Sequence, residues 1–144
     1  MFLRIFAIAL ILTAGTFLEA QAQEISIIEI RRNIPLADDQ PVYKDFYLTG
    51  GESAGLKKNM VITAYRKLTI RDSSGAQTYG ELQVPVGQLK VISVQGRLAV
   101  AREYQLMSRE DEPMLEQIGI MTGDRIDLQG SFIDNKKGSA KKGS

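Results

Sequence analysis

Residues 80–94 read GELQVPVGQLKVISV, and the phase of their apolar side chains decides the fold. Val84 and Val86 share one face of an extended chain. Leu89 and Val91 fall on the opposite face, and Ile92 and Val94 change phase again. A one-residue slip carries every later side chain across a sheet. A long apolar strand that changes phase must therefore hold a bulge or a bend, as at the corner of a barrel.

The sequence on either side of this stretch has the same character. Residues 24–31 (EISIIEIR) are rich in Ile, and 45–49 alternate with Phe46 and Leu48 on one face. Residues 60–66 and 68–71 give two further runs, the second through Leu68 and Ile70. Residues 97–104 and 124–128 complete the set, with Ile126 and Leu128 facing inward. Turn signals separate the runs at Gly50-Gly51, at Asp72-Ser73-Ser74-Gly75 and at Gln95-Gly96. Short strands with this punctuation predict one small, mostly β barrel. Residues 107–120 alone lack strand character. Pro113 can open a short helix through Met114, Leu115 and Ile118, with Gly119 ending it, so one helix of a turn or two is expected to plug a barrel end.

The chain has 144 residues, enough for a single domain. Its first 22 residues read as a secretory signal. Arg4 is the positive start, residues 5–18 are largely apolar, and Ala20-Gln21-Ala22 is the small-x-small pattern before a cut after Ala22. The apolar run is about 14 residues, short of the ~20 that span a bilayer. A periplasmic location follows as an expectation. The remaining organisation is an N-terminal strand and linker over 23–41, the barrel over 42–130, and a Lys/Gly/Ser tail over 131–144. The repeat Lys-Lys-Gly-Ser offers nothing to bury, so the tail is expected to be disordered, with a weak electrostatic contact to an anionic surface as its sharper role. The four lysines of residues 136–144 leave residues 23–135 at a net charge of −3, although the whole chain is +1. A signal peptide argues against nucleic acid as a partner.

With no His and no Cys, the chain has no imidazole base, no thiolate nucleophile, no disulfide and no Cys/His zinc site. The remaining candidates for chemistry are poor. Asp38-Asp39 between Pro35 and Pro41 reads as a solvated turn, without the oxygen spacing of a calcium loop. Asp124 and Asp127 are three apart on a strand and so point to opposite faces. Ser73, Ser74 and Ser93 lack a base, and nothing sets Lys67 or Lys90 beside them. Residues 50–58 (GGESAGLKK) depart from a phosphate loop, because Leu56 stands where Lys should follow the last Gly. No enzyme activity, cofactor or metal is expected. Tyr43, Tyr47, Tyr65, Tyr79 and Tyr104, with Arg66 or Arg102, could form a peptide- or sugar-binding surface.

Residues 45–66 (DFYLTGGESAGLKKNMVITAYR) resemble the opening hairpin of the C-terminal domain of the flagellar assembly protein T group and, more broadly, small SH3-like barrels of bacterial envelope proteins. Gly51, Gly55, Leu56, Lys57, Tyr65 and Arg66 carry the pattern, and Asn59 stands where related sequences often have Gly. The likeness continues through Gly87 in residues 86–94, through 98–101, and into Gly123-Asp124 before the last strand. It spans roughly residues 42–128. Gly51 and Gly55 are expected to supply positive φ, and Leu56 to fold inward under the hairpin base. The resemblance implies a non-enzymatic part of a cell-envelope assembly, related to the basal body and motility. Its partners would be other envelope proteins or further copies of itself in a ring. The alternative is a module that binds peptidoglycan or another cell-wall glycan. The Ile-rich strand over 24–31 could pair within its own barrel or add to a neighbour's sheet edge.

Overall fold

The computed structural model describes residues 23–137. Residues 1–22, the expected secretory signal, and residues 138–144 of the tail lie outside them. Six strands form, β1 (Ile25–Arg32), β2 (Lys44–Thr49), β3 (Met60–Arg71), β4 (Thr78–Gln95), β5 (Leu98–Leu106) and β6 (Arg125–Ile133). They close into one barrel in the order β1-β2-β5-β4-β3-β6. Every pairing is antiparallel. The expected single, mostly β barrel is what the chain forms.

The phase changes of residues 80–94 have direct causes. Ala64 pairs with Gly87 and Tyr65 with Pro85, so Val86 is the extra residue of a bulge. Val91 pairs with Ala101 and Ser93 with Val100, so Ile92 is another. These bulges let β4 turn from one side of the barrel to the other while Val84, Val86, Leu89 and Val91 all stay buried. The core gathers them with Ile25, Ile27, Phe46, Leu48, Leu56, Ile62 and Ile126. Each large apolar side chain fully buried there stabilises the fold by ~1.5–3 kcal/mol, in a chain without disulfides.

Four sequence expectations need correction. Residues 60–66 and 68–71 are one strand, because Lys67 continues the ladder opposite Gln83. The strand expected within residues 23–41 forms and takes the first of its two expected fates, pairing within its own barrel, so the barrel begins before the expected residue 42. β1 is a stave of the barrel between β2 and β6, and Asn33 closes the loop after it, its side chain donating to the Pro41 carbonyl and accepting from the Tyr43 amide. No helix forms over 107–120; a short 3-10 turn, Glu52–Ala54, is the helical element among the described residues. The segment is held instead as an irregular loop, in which Arg66 donates to the carbonyls of Gln117 and Gly119, and Arg109 to that of Pro113. The segment still plugs the barrel end, through Leu115 and Ile120, which join the core.

The fourth correction concerns the tail. β6 runs to Ile133, beyond the boundary expected at residue 130, and the chain stays pinned through Lys136. The Asp134 amide bonds the Asn59 carbonyl at 2.8 Å, Asn135 accepts from the Asn59 side chain, and Lys90 donates to the Lys136 carbonyl. Phe132 packs edge-on against Tyr104, with ring centroids 6.2 Å apart. Val61 pairs with Phe132 and is 1% exposed, although it lies outside the core cluster.

Candidate interaction surface

The residues singled out in the sequence fall at the two ends of the barrel. At one end, Leu56 is buried, as expected, and Gly55 has φ 91°. Gly51 does not have positive φ: its backbone is at φ −143°, and the positive value belongs to Gly50. Gly51 must be glycine for space, because a Cβ there would lie 1.9 Å from the Gly96 carbonyl oxygen. Asn59 has φ 68°, the left-handed conformation that Asn tolerates better than most residues. Gly87 sits mid-strand beneath the other end, where a Cβ would press on the Gln105 carbonyl and on Ile120.

At that other end Arg66 and Asp124, 58 residues apart, meet. Arg66 donates from Nε to Asp124 Oδ1 at 2.8 Å and from Nη2 to Oδ2 at 3.0 Å. Asp124 is 1% exposed and also accepts from the Met121 amide. A paired, fully hydrogen-bonded buried carboxylate is the form in which burial of a charge is tolerated. The remaining Arg66 donors hold the Gln117 and Gly119 carbonyls. Gly123, with φ 92°, turns the chain so that Asp124 points inward. Tyr65 is half-buried beside them, paired with Pro85 and Arg125. The clamp thus fixes the long loop 107–124 across the barrel mouth. Its role is architectural.

The topology gathers the irregular segments at this same end. β1, β3 and β5 run towards it and β2, β4 and β6 run away. The 33–43 loop, the β3–β4 turn and the 107–124 loop therefore all lie there. So do several exposed apolar side chains: Ile34 at 83%, Leu36 at 89%, Val42 at 51%, Met114 at 76% and Ile118 at 57%.

The β3–β4 hairpin also outgrows the barrel. β6 pairs with β3 no further than Tyr65, and β5 pairs with β4 no further than Gly87. Beyond those points residues 66–71 and 78–84 form a two-stranded arm. Arg66, Leu68 and Ile70 share its inner face with Val84 and Leu82, while Lys67, Thr69 and Arg71 share the outer face with Gln83 and Glu81. Val84 is buried at the arm's base, whereas Leu82 is 44% and Ile70 40% exposed further out. The apolar face of the barrel wall thus continues into solvent.

Two carboxylates secure this arm. Glu24 bridges to Lys67 at 3.0 Å and to Arg125. Its hydrogen bond with Lys67, aided by the charge of Arg125, holds its pKa below the usual carboxylate range. Asp72 accepts from Ser74 Oγ and from the Ala76 amide at the tip, and those bonds, that of Ser74 foremost, likewise lower its pKa.

Among the described residues no group of three acidic side chains is placed to hold a metal ion. Asp38 and Asp39 lie in the exposed 33–43 loop, and Asp127 is on the exposed side of β6. Tyr43 stacks under Arg102 at 4.5 Å, one of the expected Tyr–Arg combinations, and Tyr47 stacks under Arg31 at 5.4 Å, a pair the sequence did not suggest. A shallow groove of about 570 Å³ lies between Tyr104, Phe132 and residues 133–136. Burial and hydrogen bonding to Asp134, the latter foremost, raise the Tyr104 pKa.

Sequence reasoning missed the arm and the Arg66–Asp124 pair. The arm had a signal: the runs flanking the Asp72–Gly75 turn are longer than the barrel strand β2, so they had to project past their neighbours. The ion pair had none, since it joins distant positions through a loop of irregular shape. Comparison with protein-family models, curated proteins and solved structures gives no match to this chain.

Proposed function

We propose that this is a non-enzymatic, periplasmic protein that binds other proteins in a cell-envelope assembly. The observation that carries this reading is the concentration of exposed apolar side chains at one barrel end, from Ile34 and Leu36 to Leu82 and Met114. Water-exposed apolar groups gathered on a rigid scaffold are the hallmark of a protein-contact surface. A secretory signal ending at Ala22 would deliver the chain to the envelope. The resemblance of residues 42–128 to the flagellar assembly group supports a motility role. In-cell crosslinking followed by mass spectrometry tests this. Recovery of basal-body or other envelope components supports it; recovery of none argues against it.

The groove beside Tyr104 and Phe132 favours a second reading, a glycan-binding module. Aromatic rings with an acid and an amide nearby, here Asp134 and Asn135, are a surface that sugars can use. Retention on purified cell wall that is lost in Phe132→Ala would support it. Absence of retention at moderate salt would remove it.

A further inference from the structure

The arm raises a specific question: what meets its edges. Among the described residues nothing pairs with the outer edge of β3 over residues 67–71 or of β4 over residues 78–84. A two-stranded ribbon is marginal alone and an open edge is a template for a further strand. The chemistry on the two edges differs in sign. The β3 edge carries Lys67 and Arg71 on the polar face, and the β4 edge carries Glu81 on the same face. On the opposite face β3 offers Leu68 and Ile70, and β4 offers Leu82.

We propose that the occupant of each edge is a second copy of this chain, with β3 of one protomer pairing antiparallel to β4 of the next. The hairpin already displays the complementarity. Within one arm Leu68 pairs with Leu82, and Thr69 pairs with Glu81, which places Glu81 diagonally between Lys67 and Arg71. The same register between protomers repeats those contacts and joins the exposed apolar faces into one surface. Because two different edges meet, the contact is heterologous and repeats head to tail, closing into a ring if the geometry allows. β1 is seated in its own barrel, paired with β2 over Ile27–Arg32 and with β6 at Ile25 and Ser26, so exchange of the whole N-terminal strand is not the route. The inference deepens the assembly reading and names self-pairing as its mechanism.

A charge-swap test decides it, using the processed protein purified from cells and measured by sedimentation. The wild type should rise in mass from one protomer to multiples as concentration increases. Arg71→Glu sets Glu against Glu81 of the next copy, and Glu81→Arg sets Arg against Arg71. Each variant should remain at protomer mass, and mixing the two in equal amounts should restore multiples, since the swapped charges then attract. Hydrogen exchange on the wild type is the second measurement, and does not depend on any variant folding. Amides of residues 67–71 and 78–84 should gain protection with concentration. A wild type that stays at protomer mass with unchanged exchange overturns the proposal. So does association that both variants retain. If the protein is monomeric yet crosslinks to envelope proteins in cells, self-pairing falls and the assembly reading stands. If it self-associates but captures no envelope component, the assembly reading falls and self-pairing stands.

Discussion

Gly51 and Gly123 are required for opposite reasons. A Cβ at Gly123 meets nothing within 4 Å, but φ there is 92°. At Gly51 φ is −143°, outside the left-handed region, and it is the Gly96 carbonyl that leaves no room for a side chain. Gly123→Ala should cost about 1–2 kcal/mol, the penalty of the left-handed conformation. Gly51→Ala should cost at least as much, about 1–3 kcal/mol, and displace the Gln95–Gly96 turn, because the clash is with backbone. Urea midpoints order the two, and amide shifts at Gly96 should move in Gly51→Ala alone. Asp124→Asn leaves Arg66 without its counter-charge in a nearly buried site, at a cost of about 3–5 kcal/mol. The loss should appear both in the urea midpoint and as faster exchange of the Met121 amide. The sequence marked these residues as a motif without showing why each is there. Gly, Asp and Arg carry no label for a clash or a partner 58 positions away.

The β3–β4 arm behaves as a separate unit because only its own ladder holds it beyond Tyr65 and Gly87. Its tip depends on Asp72, whose carboxylate accepts from Ser74 and Ala76. The folded pKa of Asp72 is depressed, so its contribution is present at neutral pH and lost as pH falls through that value. Exchange at Gly75, Ala76 and Gln77 should therefore accelerate below about pH 4, after correction for intrinsic rates, while the core amides of β3 hold. Asp72→Ala should open the same amides at neutral pH and abolish the pH step. At this scale the sequence was most legible. The phase changes of residues 80–94 called for a bulge or a bend, which the register places at Val86 and Ile92, and the Asp72–Gly75 turn forms where it was expected. The short helix expected from Pro113 through Ile118 is a loop instead. Helix-compatible residues are present, but the anchors that shape the segment, guanidinium bonds from Arg66 and Arg109 to the carbonyls of Pro113, Gln117 and Gly119, come from distant positions or irregular backbone that no period reports.

The whole molecule divides its labour between two ends. One end is bound down by the turn around Gly51 and by Asn59, which the C-terminal segment grips. The other carries the clamp, the arm and the exposed apolar loops. Core packing was readable from alternation alone, because buried strands must alternate or bulge. The exposed apolar end was not, since Ile34, Leu36 and Met114 sit in irregular segments where no period reports which way they point. Replacing Ile34 and Leu36 with Ser should leave the unfolding free energy within about 0.5 kcal/mol of the parent while removing partner capture, because these side chains support no core.

Site-specific photo-crosslinking in the living cell tests the central claim most directly. A photoreactive residue is placed at Leu36, on the apolar end, and in a second strain at Leu98, 50% exposed at the opposite end. The account predicts discrete adducts to envelope proteins from Leu36 and none from Leu98. Adducts from Leu98 alone, or none from Leu36 in a correctly processed protein, would contradict it.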